Sequence, residues 1–401
     1  VSSQYFALVG GTNGEVVMRT GVYKIATVGG IDIKLHWSWL LILLLMTFSL
    51  SSSWFPLRLP NENPLTYWGL GLVASLMLFL SVLVHELAHC FVALARGLKV
   101  HDIVLYMFGG ASNIESEPEK PSDEFIIAVV GPLTSLGLAG IFLLLAVVFT
   151  PHEGQLGSWA ANIFGYLAAI NLLLAVFNLV PGFPLDGGRV LRAAIWGLLK
   201  DYDKATRFAS IISQFVAYAF IAGGLFWAFF LGDWDGLWLA FIGWFLLNAA
   251  QQSASGVRVR EAVRGVTVAQ VMEQTPPVVA PTYTIAHLLS QYILPRNLRA
   301  LPVVYDGRLV GIVTLSDIKD IPQEEWGTVT VGDVMTTGDQ LRVARSTDRL
   351  DKVMASLLDS NFDQLPVVDS QGAVVGILTR AHVLRWLKIR EELQQAPKAT
   401  G

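Results

Sequence analysis

Apolar residues run in long blocks over the first two thirds of the chain and in short alternating pieces over the last third. Six blocks carry few charges, at about 37–53, 68–95, 125–150, 158–180, 208–231 and 236–251. A bilayer core about 30 Å thick needs roughly 20 apolar helical residues to cross it. Each block therefore predicts a transmembrane helix, the first and last being short. Residues 22–35 differ, because Gly29-Gly30 separates two β-type runs; that pattern predicts a hairpin at the membrane surface. Beyond about residue 265 charges return and apolar runs shrink to strand length. The expected fold class is a multi-pass α-helical membrane domain of about six transmembrane helices followed by a soluble α+β part.

Composition agrees with that division. Hydrophobic residues make up 53% of the 401 residues and charged residues 15%, against roughly 25% charged in soluble domains. The net charge of −4 gives no reason to expect a nucleic-acid partner. One cysteine, Cys90, excludes an intrachain disulfide. With the N-terminus inside, the inner segments carry fourteen Lys and Arg, from Arg19 to Arg264, and the outer loops only Arg58. This asymmetry predicts cytoplasmic termini and a cytoplasmic soluble part. No cleavable signal peptide is expected, since the first apolar run starts late. Residues 1–17 read as irregular, and Met18 reads as a natural start.

The second block contains His85-Glu86-Leu87-Ala88-His89. On a helix, positions i and i+4 share a face, so both imidazoles can reach one ion. Glu86 then lies beside that ion, placed to take a proton from water. The bland alternative is a set of polar groups that bond only to one another. Ionisable residues inside a bilayer are costly and functional by default, which favours the metal reading. A catalytic zinc site has three protein ligands and a water. The end of the fourth block offers a third in Asn178-Leu-Val-Pro181-Gly-Phe-Pro184-Leu-Asp186-Gly-Gly188, whose prolines break the helix. Both blocks run from outside to inside, so Asp186 falls at the depth of His85 and His89. Asp186 as a plain interfacial loop acid is the alternative.

H-E-x-x-H in one membrane helix and N-x-x-P-x-x-P-L-D-G in another resemble the site-2 protease family of intramembrane metalloproteases, over roughly residues 18–250. The resemblance implies a zinc ion on His85, His89 and Asp186, with Glu86 as catalytic base. It gives Asn178 a role near the scissile peptide; a helix–helix hydrogen bond is the other reading. Phe108-Gly109-Gly110-Ala111 resembles the family's re-entrant β-like segment, with Gly109 and Gly110 able to pair closely with an extended substrate, or simply to form a turn. Gly131-Pro132 resembles another family feature, or marks a helix kink. Cys90 points about 100° from His89 and reads as a packing residue. The implied substrates are membrane-anchored proteins in the lipid bilayer, cut in or near their transmembrane segments.

The last third repeats itself. Thr267–Met272 matches Thr330–Met335, Leu301–Val304 matches Leu365–Val368, and Gly311–Thr314 matches Gly376–Thr379. The units resemble a tandem pair of CBS domains, which often bind adenine nucleotides such as AMP or ATP and can join as a homodimer. Thr314-Leu-Ser-Asp317 fits the family's nucleotide signature, and also the spacing of a helix N-cap. In the second repeat His382 stands where the signature has Asp. The expected layout is an N-terminal segment 1–35, a protease domain 36–252, a linker 253–265, CBS domains at 266–321 and 329–388, and a tail 389–401. A bacterial plasma membrane is the expected location, and nucleotide-controlled access to the site the expected regulation. The competing classes are a CBS-gated transporter and a non-catalytic membrane binding protein.

Overall fold

The computed structural model describes residues 21–107, 109–114, 117–150, 155–338, 341–358 and 364–395. Met18, Arg19 and Phe108 lie outside the described residues. The chain divides into two units, the first ending at Val257 and the second beginning at Arg258.

The described part of the first unit opens with the hairpin. Strands β1 (Val22–Val28) and β2 (Ile31–His36) pair antiparallel, with Val28 opposite Ile31. Gly29 and Gly30 both have positive φ, 59° and 84°, as a two-residue turn matched to strand twist requires. Strand β2 then pairs in parallel with β3 (Val100–Tyr106), which pairs antiparallel with β4 (Gly109–Ile114). The sheet order is β1-β2-β3-β4, so β4 is an edge strand.

Among the described residues of this unit, five helices are long and apolar enough to cross a membrane: α1 (Ser38–Arg58), α2 (Pro64–Ala95), α3 (Pro121–Phe149), α4 (Gln155–Asn178) and α6 (Tyr202–Phe230). Their outward faces carry exposed apolar side chains, Leu44, Leu144 and Phe229 being 63%, 64% and 67% exposed. Such surfaces suit lipid, and helices satisfy their own backbone groups as lipid requires. Helix starts are written in the sequence. Asn63 accepts a hydrogen bond from the Thr66 N–H at 2.8 Å with Pro64 following, and Asp201 accepts one from Lys204 N–H at 3.0 Å. Between α4 and α6 lies a shorter helix, α5 (Asp186–Leu199), which the apolar blocks did not announce.

The sixth expected crossing, 236–251, behaves differently. It is the apolar first part of helix α7 (Gly236–Val263), whose second part is polar, so length and apolarity together do not mark it as a span. Packing supplies what length does not. A Cβ on Gly236 would meet Ala228 N at 2.6 Å, and one on Gly243 would meet Ile221 N at 2.7 Å. The pairing runs antiparallel, so α7 returns along α6 in backbone contact.

The second unit holds sheets β5-β10-β9-β8 and β6-β7, with β5 at Glu273–Gln274, β6 at Ala300–Tyr305, β7 at Arg308–Thr314, β8 at Ala344–Arg345, β9 at Gln364–Val368 and β10 at Val374–Thr379. The repeats exchange their opening segments. Strand β5 of the first repeat pairs with β10 of the second, and Thr336 of the second bridges Ile312 of the first. Met272 packs on Gly376, and Met335 on Gly311. Val268 accordingly lies in the core with Leu350 and Val383, while Val331 lies in the core with Ile285 and Val313. Neither core is complete without the other repeat.

Gly376→Val is therefore expected to destabilise the second unit by about 1–3 kcal/mol, the usual cost of overpacking. Its Cβ would also press on the Glu273 carbonyl at 2.9 Å. Hydrogen exchange should quicken at β5 and β10 together; quickening confined to β10 would contradict the exchanged packing.

Candidate metal centre

His85 and His89 stand one turn apart on α2 and are 4% and 3% exposed. Helix α4 stops at Asn178, ahead of Pro181 and Pro184, and the chain turns over residues 179–185 before α5 begins at Asp186. The turn is tied inward. Leu185 N–H donates to Gly182 O at 2.9 Å, Gly188 N–H to Leu185 O at 3.0 Å, and Phe183 N–H to Ser213 Oγ at 2.9 Å. A Cβ at Gly188 would lie 2.7 Å from Phe183 N, and one at Gly187 would collide with the Leu179 and Val180 carbonyls. The Gly-Gly pair after Asp186 is thus a steric requirement that lets α5 start against the turn.

The result is a triangle. His85 Nε2, His89 Nε2 and Asp186 Oδ2 lie 3.2 Å from one another on every side. They form the His, Cys, Asp and Glu cluster of metal-ligating geometry among the described residues. Ligands bound tetrahedrally to zinc at about 2.0–2.1 Å stand roughly 3.3 Å apart, so the triangle has the size of one face of such a site.

The donor chemistry agrees. His89 Nδ1 lies 2.6 Å from Ile127 O, a pure acceptor, so Nδ1 carries the proton and Nε2 presents a lone pair. His85 Nδ1 lies 2.9 Å from Ser135 Oγ, a hydroxyl that can accept the Nδ1 proton; in that tautomer the second Nε2 lone pair faces in. Two lone pairs and a carboxylate oxygen converge. A proton satisfies one edge of that triangle, whereas a divalent cation satisfies all three corners. Gly131 of α3 completes the cradle. A Cβ there would stand 2.7 Å from His85 Nε2 and closer still to His89 Nε2, filling the space both nitrogens face. Zinc fits this donor set, with a fourth position for water.

Glu86 neighbours the triangle on α2. A Cβ on Gly110 would reach its Cδ at 3.0 Å, so edge strand β4 runs directly beside this carboxylate. Gly109 adopts φ 132°, a conformation open to glycine. Cys90 is fully buried in an apolar cluster with Ile31, Ile103 and Leu105 and is not among the three clustered ligand residues. Asn178 sits at the end of α4 with its amide donating to Leu174 O at 3.0 Å, a bond within its own helix.

In the second unit Thr314 and Asp317 form a capping box. Asp317 Oδ2 accepts from Thr314 N at 2.7 Å and from Thr314 Oγ1 at 2.8 Å. The helix-cap reading of this motif is thereby realised. His382 Nε2 lies 3.2 Å from Glu273 Oε2, so the residue that departs from the signature ties its helix to β5.

Sequence reasoning missed Ile127, Ser135 and Ser213. Ile127 acts through its backbone, and Ser213 through a tertiary contact, neither of which leaves a local pattern. Ser135 lies one turn beyond Gly131 on the same face of α3, and that spacing was a usable signal.

Residues 73–155 and 147–223 match the family model for peptidase family M50, and residues 268–324 and 331–389 match the CBS domain. The Synechocystis protein named "Putative zinc metalloprotease sll0528" is 34% identical over 371 residues, covering 91% of this chain and 95% of that one. "Putative zinc metalloprotease Rip3" of Mycobacterium tuberculosis is 34% identical over 388 residues, covering 96% and 97%. Among solved structures, the site-2 protease from Methanocaldococcus jannaschii is 27% identical, covering 58% of this chain and 95% of that one, with a TM-score of 0.40.

Two substitutions test the cradle. Gly131→Ala should leave the helix content unchanged by circular dichroism and abolish zinc retention through gel filtration. Ser135→Ala should weaken zinc affinity about 10–100-fold, the usual effect of removing the partner that orients a ligating histidine. Full zinc retention in Gly131→Ala would mean the ion does not lie where both Nε2 atoms point.

Proposed function

This chain belongs to peptidase family M50 as a membrane zinc metalloprotease with a tandem CBS pair, and we propose that His85, His89 and Asp186 hold its zinc while Glu86 carries the proton in peptide hydrolysis. The observation that supports these roles is the 3.2 Å triangle formed by both imidazole Nε2 atoms and Asp186 Oδ2. Zinc in such a site supplies a Lewis acid and lowers the pKa of water towards about 7. Glu86 accepts the proton of the attacking water and returns it to the amide nitrogen that leaves. Ser135 and the Ile127 carbonyl hold the two rings against rotation, so the ligand atoms need no reordering as the reaction proceeds.

The substrate in this reading is a transmembrane segment of a membrane-anchored protein. The two histidine ligands sit on a 32-residue apolar helix, so the peptide reaches them from the membrane. A helical peptide hides its amides, and hydrolysis requires local unwinding. Edge strand β4, with Gly110 against Glu86, offers backbone groups on which the unwound strand pairs, as peptides add to exposed sheet edges. Asn178 contributes once substrate draws its amide from Leu174 O.

The charge asymmetry, with α7 packed back along α6, supports cytoplasmic termini and a cytoplasmic CBS pair, and a bacterial plasma membrane is the location in this reading. Adenine nucleotide at the CBS pair is the regulatory ligand in this reading, and the Thr314–Asp317 motif supports it. Calorimetry with AMP and with ATP checks it: Thr314→Val should weaken the binding, and no heat from either nucleotide at millimolar concentration would sink it.

Glu86→Gln separates metal binding from chemistry. The variant should keep one zinc per chain and lose about 10²–10⁴-fold in cleavage of a single-pass substrate in detergent. Near wild-type cleavage would remove Glu86 from the proton transfer.

A further inference from the structure

Two charged side chains buried near the metal helices take no part in the chemistry above. Glu124 is in the first turn of α3 and fully buried, and Arg192 is on α5 with 14% of its side chain exposed. Arg192 Nε donates to Glu124 Oε1 at 2.8 Å, and Nη2 donates to the same oxygen. The guanidinium also lies 5.2 Å from the ring centroid of Phe183, in the turn before Asp186, and 4.8 Å from that of Tyr202 on α6. One side chain therefore clips together α3, α5, α6 and the turn.

Two of the three metal-facing groups depend on the elements so joined. His89 is oriented by Ile127 O, one turn beyond Glu124 on α3. Asp186 opens the helix that carries Arg192. We propose that the Glu124–Arg192 pair is a strut that fixes α5 against α3, sets the 3.2 Å spacing of Asp186 from His89, and thereby sets zinc affinity. Glu124 and Arg192 are positioning residues, since among the described contacts neither bonds to His85, His89 or Asp186. Stability alone is a poor reason for such a pair. Well-packed apolar side chains commonly serve a buried site as well or better, and charges near a bilayer core are kept for function.

The inference rests on the zinc reading above. Its test uses the full-length protein in detergent, with zinc affinity measured by chelator competition and the thermal midpoint of the zinc-free form measured separately. Glu124→Gln and Arg192→Met should each lose about 10–100-fold in zinc affinity, as for other groups that orient ligands. The double variant should bind no more weakly than Arg192→Met alone. Arg192→Lys, which keeps the charge but not the two-pronged donor, should fall between wild type and Met, and with Glu124→Gln it decides the matter if Arg192→Met does not fold. Lys34→Met, which breaks the Lys34–Asp102 ion pair in the sheet, is the control and should lower the midpoint without touching zinc affinity. Variants that lower the midpoint like this control yet bind zinc as wild type does would overturn the strut. A wild type that binds no zinc would instead remove the zinc reading itself.

Discussion

Two imidazole nitrogens and a carboxylate oxygen held 3.2 Å apart inside an apolar helix bundle are the constraint on which the rest of the structure depends. Such a meeting is unfavourable by itself. Lone pairs and a negative charge repel, and the bilayer gives no water to soften the repulsion. Each nearby oddity of sequence answers to this. Gly131 leaves the space empty, Ser135 and the Ile127 carbonyl fix the rings, and Gly187 and Gly188 let Asp186 emerge from a tight turn. Ser213, on another helix, holds the backbone of that turn.

The second unit is built on a different economy. Its residues alternate over short strands, and its two cores are completed only by the exchange of opening segments. Pseudo-symmetry makes the departures visible. Where the first repeat closes its helix with an Asp317 cap on Thr314, the second uses Thr379 Oγ1 to accept the His382 N–H at 3.1 Å and turns the His382 ring to Glu273. The two repeats have thus kept one fold and diverged at the position that the nucleotide signature occupies.

Much of this was legible in the sequence, for physical reasons that differ from residue to residue. The spacing of His85 and His89 announces a shared helix face, and Asp186 was reached by counting crossings, because depth in a bilayer is fixed by chain direction. The hairpin was readable from Gly29-Gly30. The sixth crossing was less so. Its apolar stretch is short, and only the close packing of Gly236 and Gly243 on α6 shows how α7 lies. The Thr314-x-x-Asp317 spacing served two readings, and the structure realises the cap. Asn178 likewise stood for either a substrate contact or a helix–helix hydrogen bond, and its amide instead bonds to Leu174 O of its own helix. Arg192 counted only as one more inner charge, because its partner is 68 residues away and no periodicity links them.

X-ray absorption at the zinc edge of the purified protein tests the central claim most directly. The account predicts one zinc surrounded by nitrogen and oxygen alone, at about 2.0–2.2 Å, with an imidazole signature from two rings that is lost on replacing His85 and His89. A sulfur neighbour at about 2.3 Å would assign Cys90 to the metal, and zinc retained at unchanged geometry in Asp186→Ala would remove the third corner. Either result would contradict the triangle as the metal centre.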